Sequence, residues 1–338
     1  MYFVAFSSYS AVLCYPRTVI NSRTTRPITV STFNWTKILL FVLHNLQMLS
    51  KKCKIINDMK VSGKPLAAHL LIQTRTLIKQ NNLHPVLNII LASIDPAPRL
   101  YIHHKALRAQ EVGIDIQLHE YSPEQESQAY RDIHTANQAP HIHGILVQQP
   151  MYSHWSAENL IQAVAPTKDV DGFVTNSNFI PATALGVWTM LEEFSRLEHY
   201  TNVESFLAKQ RITVLGKGRT AGKPIRELLH QRGFPSQLID SRTTNPNQII
   251  RESTLIISAT GRKNILNAAN LSLGCYVIGL GVGQEIDDQG QACTFGDIYE
   301  PEVSEIAKLY CPTIGGIGPL TIAHLLHNTT LSALAARD

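Results

Sequence analysis

The sequence predicts an α/β fold built on parallel sheets. Three observations carry this. Short, nearly continuous apolar runs alternate with stretches of helical period. A glycine-rich turn at Gly216 joins one such run to a helix. An acid, Asp240, ends the next run, 24 residues on. Strands that are apolar on both faces need cover on both sides, and the intervening helices supply it.

The elements follow in order. Leu66, Leu70, Leu71, Leu77 and Ile78 recur at helical spacing and predict a helix over 66–80. A strand follows over 86–92, broken only by Asn88, then a helix over 101–112 and a strand over 114–119. A helix over 127–136, a strand over 143–148 and a helix over 156–164 complete the first half, with Pro166 as the stop. A long amphipathic helix over 183–196 reads as a connector. The second half gives strands over 211–215, 236–240, 255–259 and 276–280, with helices over 223–232 and 247–252. The closing helix, 320–334, is led in by Gly315, Gly316 and Gly318. There are no internal repeats.

Length and composition set the outer bounds. The 338 residues allow two domains or one large one, and 44% apolar with 17% charged residues excludes a disordered chain. Residues 1–58 hold seven Lys/Arg against one acid, Asp58; taken from the totals of 30 and 26, this leaves 23 basic and 25 acidic residues in 59–338. The basic character therefore belongs to the N-terminal segment. No basic stripe with interleaved aromatics points to nucleic acid. Residues 1–58 read either as a targeting segment, being Ser- and Arg-rich and nearly acid-free, or as a start placed upstream of the natural one at Met59, which is the preferred reading. The apolar stretch 38–49, interrupted by His44, Asn45 and Gln47, falls short of the roughly 20 residues that cross a bilayer, so no membrane partner is expected. The five cysteines are scattered without a CxxC, and the histidines lack ligand spacing, so free thiols and no metal are expected.

The turn Gly216-Lys217-Gly218-Arg219-Thr220-Ala221-Gly222 has the spacing GxGxxxG, one residue longer than the common dinucleotide fingerprint. Gly216 and Gly218 would admit a pyrophosphate close to the backbone. Gly222 opens a helix whose dipole favours phosphate. An ordinary tight turn has the same glycines, but Asp240 stands where an acid can hold a ribose hydroxyl, which favours a Rossmann-type nucleotide site. Asp240 alone suggests NAD. Lys217, Arg219 and Arg242, with Ser241 between the last and Asp240, could instead receive the 2′-phosphate of NADP.

In the first half, Tyr101 and Lys105 lie at i and i+4 on one helix face. Burial beside the ring would lower the lysine pKa and suit it to acid–base work; a surface lysine beside a packed tyrosine has the same spacing. A YxxxK pair also marks short-chain dehydrogenases, but there it follows the nucleotide turn, and here it precedes it. Gln148 ends a strand, where α/β sheets place ligands, or is simply a polar terminus. Asp169 and Asp171 in the run Lys168–Phe173 could bind substrate together. One could instead pair with Lys168 while the other binds, or the run is a solvated turn.

Taken together, these pieces resemble the bifunctional methylenetetrahydrofolate dehydrogenase/methenyltetrahydrofolate cyclohydrolase family over about 59–335. Asp95–Lys105 is similar to DPAS-x-x-Y-V-x-x-K, with Pro98 in place of the Ser, and Gly144–Pro150 to GILVQLP. Lys168–Phe173 matches KDVDGF, Gly216–Pro224 is similar to GRSxxVGxP, and Gly315–Thr321 to GGVGPMT. The order of all five is kept. The resemblance implies two α/β domains with the active cleft between them: a folate-binding catalytic domain over 59–195 plus 320–338, and a Rossmann NAD(P)-binding domain over 196–319. It implies Lys105 as the cyclohydrolase acid/base, Tyr101 stacked on the folate, and Gln148 setting the protonation of Lys105. Asp171 would bind the pterin, and Gly316, Gly318 and Pro319 would shape the cleft floor. It also implies tetrahydrofolate derivatives as substrates, NADP as cofactor with NAD as the alternative, and a homodimer. The location it implies is cytoplasmic, or organellar if 1–58 is a transit peptide. Departures fall on the cofactor side. Lys217-Gly218 stands for Arg-Ser, Asp240 for His, and Gly279 and Gly283 for the Asp and Asn of VIDVGIN. Ile314 stands for a Pro in TPVPGG, and Ala182 and Ala184 flank Thr183 where Cys and Pro are common. A single retained activity, or a nucleotide-binding protein without chemistry, are the alternatives.

Overall fold

The computed structural model describes residues 59–286 and 290–337; the expectations for 1–58 lie outside them. The elements in chain order are α1 (Gly63–Gln80), β1 (Val86–Leu91), α2 (Pro96–Val112), β2 (Asp115–Glu120), α3 (Glu126–Gln138), β3 (Gly144–Val147), α4 (Ala157–Gln162) and α5 (Ala182–Leu197). They continue with α6 (Val203–Leu207), β4 (Ile212–Leu215), α7 (Gly222–Gln231), β5 (Gln237–Ile239), α8 (Pro246–Glu252), β6 (Leu255–Ser258) and β7 (Tyr276–Gly279). The last are β8 (Val282–Ile286), β9 (Ala292–Gly296), α9 (Glu300–Ile306), β10 (Leu309–Cys311) and α10 (Ile317–Ala335).

Every expected element forms, with shifted ends. The largest shift is α2, which begins at Pro96 rather than 101. The Asp95 side chain accepts the Ala97 amide at 2.9 Å, and proline suits a first helical turn. A capped, proline-bearing start has no apolar period to read. Five short elements had no sequence signal assigned: α6, the hairpin β8–β9, α9 and β10. Cover on both faces also fails for β2, an edge strand whose residues are exposed or half-buried.

Two parallel sheets result. The first runs β2-β1-β3 and the second β10-β7-β6-β4-β5. In each sheet the strand that comes first in the chain, β1 or β4, is flanked on its two sides by strands that follow it, so each sheet has a switch point where a crevice opens beyond the strand ends. In the first sheet this lies at the ends of β1 and β3, in the second at the ends of β4 and β6. Residues 59–61 continue the second sheet beyond β10: the Val61 amide donates to the Tyr310 carbonyl at 2.8 Å, and the Tyr310 amide to Met59 at 3.0 Å.

The largest apolar cluster draws on both sheets. It takes Leu87, Ile89 and Leu146 from the first, Val214, Ile257 and Ile278 from the second, and Leu191, Phe194, Leu320 and Leu326 from α5 and α10. Smaller clusters cover the outer face of each sheet. Helix α10 packs along α1 and α5. Its approach is close: a Cβ on Gly63 would stand 1.9 Å from the Gly316 carbonyl oxygen. No described helix is long and apolar enough to cross a membrane.

Candidate active site

Both switch points open onto one cavity of about 350 Å³. Its first-sheet wall carries Tyr101, Lys105, Gln148 and Asp171. Lys105 is 4% exposed and Gln148 6%. One helical turn sets the Lys105 Nζ 4.6 Å from the centre of the Tyr101 ring. The same Nζ donates to Gln148 Oε1 at 2.8 Å, and Gln148 Nε2 donates to the Gln149 carbonyl at 2.6 Å. Gln148 is thus held at both ends of its amide. Burial pulls the Lys105 pKa down to about 8, against the opposing pull of the Asp171 carboxylate. Burial pushes Asp171 up to about 6, partly offset by Lys105. Burial also raises the Tyr101 phenol, which stays protonated.

The Lys168–Phe173 run is a tight turn. Asp169, 3% exposed, accepts the amides of Gly172 at 3.1 Å and Val174 at 2.7 Å, and so holds the turn together. Gly172 has φ +81°, and a Cβ there would lie 2.6 Å from Pro181 N. Lys168 pairs with neither acid. Its ammonium donates to the Ala136 and Ala139 carbonyls at 2.8 and 2.7 Å, at the C-terminal end of α3, where the helix dipole favours a cation. The two carboxylates therefore part: only Asp171 lines the large cavity. From α10, Asn328 Nδ2 donates to the carbonyls of Val170 at 3.0 Å and Ile180 at 3.4 Å, which ties the turn to the closing helix. Gly318 lines the cavity. Gly316 packs behind it, where a Cβ would meet the Pro312 carbonyl oxygen at 2.1 Å, and Pro319 lies off the wall.

The second-sheet wall carries the glycine turn. Gly216 has φ +97°, and a Cβ on it would stand 2.5 Å from the Ala259 carbonyl oxygen at the end of β6. A Cβ on Gly222 would stand 2.1 Å from the Gly216 carbonyl oxygen, whereas one on Gly218 would meet nothing within 4 Å. Among the described residues, the backbone amides of 217–220 donate no hydrogen bond. Open space over free amides beside a helix N-terminus fits a dinucleotide pyrophosphate. Lys217 and Asp240 are paired at 2.8 Å, and Asp240 also accepts the Arg242 amide at 2.9 Å, while exposed Ser241 stands between them. Lys217 holds the Asp240 carboxyl below the usual range. The Arg242 guanidinium has no ion pair among the described residues. Arg219 turns away from this group and pairs with Glu158 of α4, on the first-sheet side.

Sequence reasoning missed several lining groups: Gln149, Thr220, Ala221, Leu280, Val282, Ile317 and Thr321. Loop backbone and apolar side chains have no spacing signature. It also missed Asp297, fully buried, which accepts from the side chains of Ser258 and Thr260 and from the amides of Thr260, Arg262 and Gly281. That carboxylate ties the ends of β6 and β7 together.

A glycine turn for a dinucleotide faces a buried amine, amide and carboxylate across one cavity, and this defines a nicotinamide-dependent α/β enzyme. Comparison with known proteins agrees. Residues 61–171 match the tetrahydrofolate dehydrogenase/cyclohydrolase catalytic domain, and 181–337 match the NAD(P)-binding domain of the same enzymes. The bifunctional protein FolD 2 of Pseudomonas savastanoi pv. phaseolicola is 32% identical over 81% of this chain and 92% of its own. The bifunctional protein FolD 4, chloroplastic, of Arabidopsis thaliana is 32% identical over 82% of this chain and 79% of its own. The crystal structure of the bifunctional enzyme FolD from Campylobacter jejuni superposes with a TM-score of 0.72 at 28% identity, covering 81% of this chain and 98% of that one. The chain belongs to the tetrahydrofolate dehydrogenase/cyclohydrolase family. It is an enzyme of one-carbon metabolism with the oxidoreductase and hydrolase activities of that family.

Proposed function

We propose that the cavity oxidises 5,10-methylenetetrahydrofolate to the methenyl cation with NADP, then hydrolyses that cation to 10-formyltetrahydrofolate. The observation that carries this is the buried Lys105 amine, hydrogen-bonded to Gln148 and facing Asp171 in one cavity. Asp171 accepts the pterin N–H groups as a carboxylate can, in bidentate fashion. Tyr101 offers its ring face to the folate. Gly318 keeps the floor open, and Gly316 and Pro319 hold the turn beneath it. For the first step the chain supplies alignment, and the bound nicotinamide is the two-electron acceptor. In the second, water adds to the methenyl carbon, and neutral Lys105 takes the proton that water loses. The carbon–N5 bond then breaks as the hydroxyl on that carbon becomes the formyl carbonyl and releases its proton to solvent, and Lys105 returns the proton it holds to N5. Burial brings the pKa of that amine close to physiological pH, so both its protonated and neutral forms are populated, which suits it to both transfers.

The backbone of the Gly216–Gly222 turn, open over Gly218, would hold the dinucleotide pyrophosphate, while Arg219 pairs with Glu158. NADP is favoured by the paired Lys217 and the unpaired Arg242 beside Asp240 and Ser241; two cations against one carboxylate leave a net attraction for a 2′-phosphate. Steady-state rates with NADP and NAD decide between them. Residues 59–195 with 320–338 form the folate domain and 196–319 the dinucleotide domain, a division supported by the packing of α10 on α1 and α5. The working form is a homodimer in the cytoplasm; light scattering and a fluorescent fusion test these, and an organellar signal would assign 1–58 to transit.

The decisive experiment is Lys105→Ala with the two half-reactions assayed separately. Methenyl hydrolysis is abolished while the circular dichroism spectrum is kept. Undiminished hydrolysis would sink the assignment.

A further inference from the structure

Among the buried side-chain polar atoms on the cavity lining, one stands without a partner. Gln149 lines the cavity beside Gln148, and its side-chain Nε2 is buried with no hydrogen-bond partner among the described residues. Its main-chain carbonyl is occupied by Gln148 Nε2, which locks the backbone of residue 149 relative to the Lys105–Gln148 pair. Buried donors in folded proteins are nearly always paired, because an unpaired one has lost water and gained nothing. An orphan donor on the wall of a substrate cavity is an arrangement completed by what enters the cavity.

We infer that Gln149 is a substrate-binding and specificity-determining residue, whose amide donates to a carbonyl oxygen or ring nitrogen of the folate. This rests on the folate reading of the same cavity. The partner is an acceptor atom, since an N–H group requires one, and it belongs to a part of the substrate that reaches the end of β3. The apolar groups nearby, Leu146 and Val147 among them, cannot serve. A ligand that puts a C–H in the same place leaves the donor unpaired and is rejected. Gln149 therefore selects among folate derivatives through what it would otherwise leave unsatisfied.

The test uses Gln149→Leu, close in shape without the amide, and Gln149→Glu, which removes the donor and keeps the acceptors. Folate KM, NADP KM, kcat and the melting temperature without ligands are measured for each and for the parent. Folate KM rises about tenfold in both variants with kcat and NADP KM little changed, the signature of lost ground-state and transition-state binding alike. The unliganded melting temperature of Gln149→Leu stays level or rises, because an unpaired buried amide has been removed. A packing role predicts the reverse: a lower melting temperature with folate KM as in the parent, and that result overturns the inference. If the parent turns over folate and Gln149→Leu matches it, this inference alone fails. If the parent turns over no folate, the reading beneath it fails and takes this one with it.

Discussion

The side-chain amide of Asn328 holds the main-chain carbonyl of Val170 at 3.0 Å, one residue before Asp171. The closing helix thus fixes the position of a carboxylate that sits far from it in sequence. Asn328→Leu leaves the buried carbonyls of Val170 and Ile180 without a donor, a loss of about 1–3 kcal/mol. Urea denaturation measures the stability. Folate KM should rise as well, since the Asp171 turn is released; stability lost without a KM change would confine Asn328 to packing.

The buried amine predicts a pH profile. Burial brings the Lys105 pKa to about 8, so with Lys105 as the proposed base, kcat/KM for methenyl hydrolysis is expected to rise with pH through an ionisation near 8. Gln148 accepts from the charged form and stabilises it, so Gln148→Leu moves that ionisation to lower pH. A profile flat across this range, or one unmoved in the variant, contradicts the role of the pair.

Gly283 and Phe295 face each other across the β8–β9 hairpin, where a Cβ on Gly283 would come within 2.2 Å of the phenyl ring. The ring has taken the space that a side chain at 283 would need. Gly283→Asn therefore destabilises by about 1–3 kcal/mol through overpacking, and adding Phe295→Val restores much of it. Thermal melts of the single and double variants measure this coupling.

Two histidines in α10 predict acid sensitivity. His324 contacts Thr189 Oγ1 at 2.9 Å and His327 contacts Thr74 Oγ1 at 3.1 Å. Burial lowers both, His324 to about 4. Unfolded histidine titrates near 6.5, so the unfolded chain takes up protons first as pH falls. Stability is full above about 6.5 and declines between there and about 4, by an amount on the order of a few kcal/mol. Urea titrations at several pH values measure the slope, which His324→Gln should reduce.

The chain pattern carried the strands and long helices because burial on two faces leaves continuous apolar runs, as in Ile89–Leu91 and Ile145–Val147. Short elements such as β10 and α9 escaped because so few residues hold little period, and no turn motif or alternation with neighbouring elements marked them. Lys105 illustrates the limit at the site. Its spacing from Tyr101 was plain, but burial depends on α2 closing over the first sheet, which no local pattern states. Asp169 and Asp171 were indistinguishable as letters; the φ of Gly172 and the grip of Asn328 separate them. The pairing of Lys217 with Asp240 was equally hidden, because 23 residues and a helix separate the two in the chain.

The largest apolar cluster belongs to neither sheet alone. A protein built this way melts as one body: a heat-capacity scan should give a single peak whose calorimetric and van't Hoff enthalpies agree. Either half produced on its own would leave shared interior open to water and would be sticky rather than native. For this enzyme, the wall that holds the folate and the wall that holds the dinucleotide persist or collapse together.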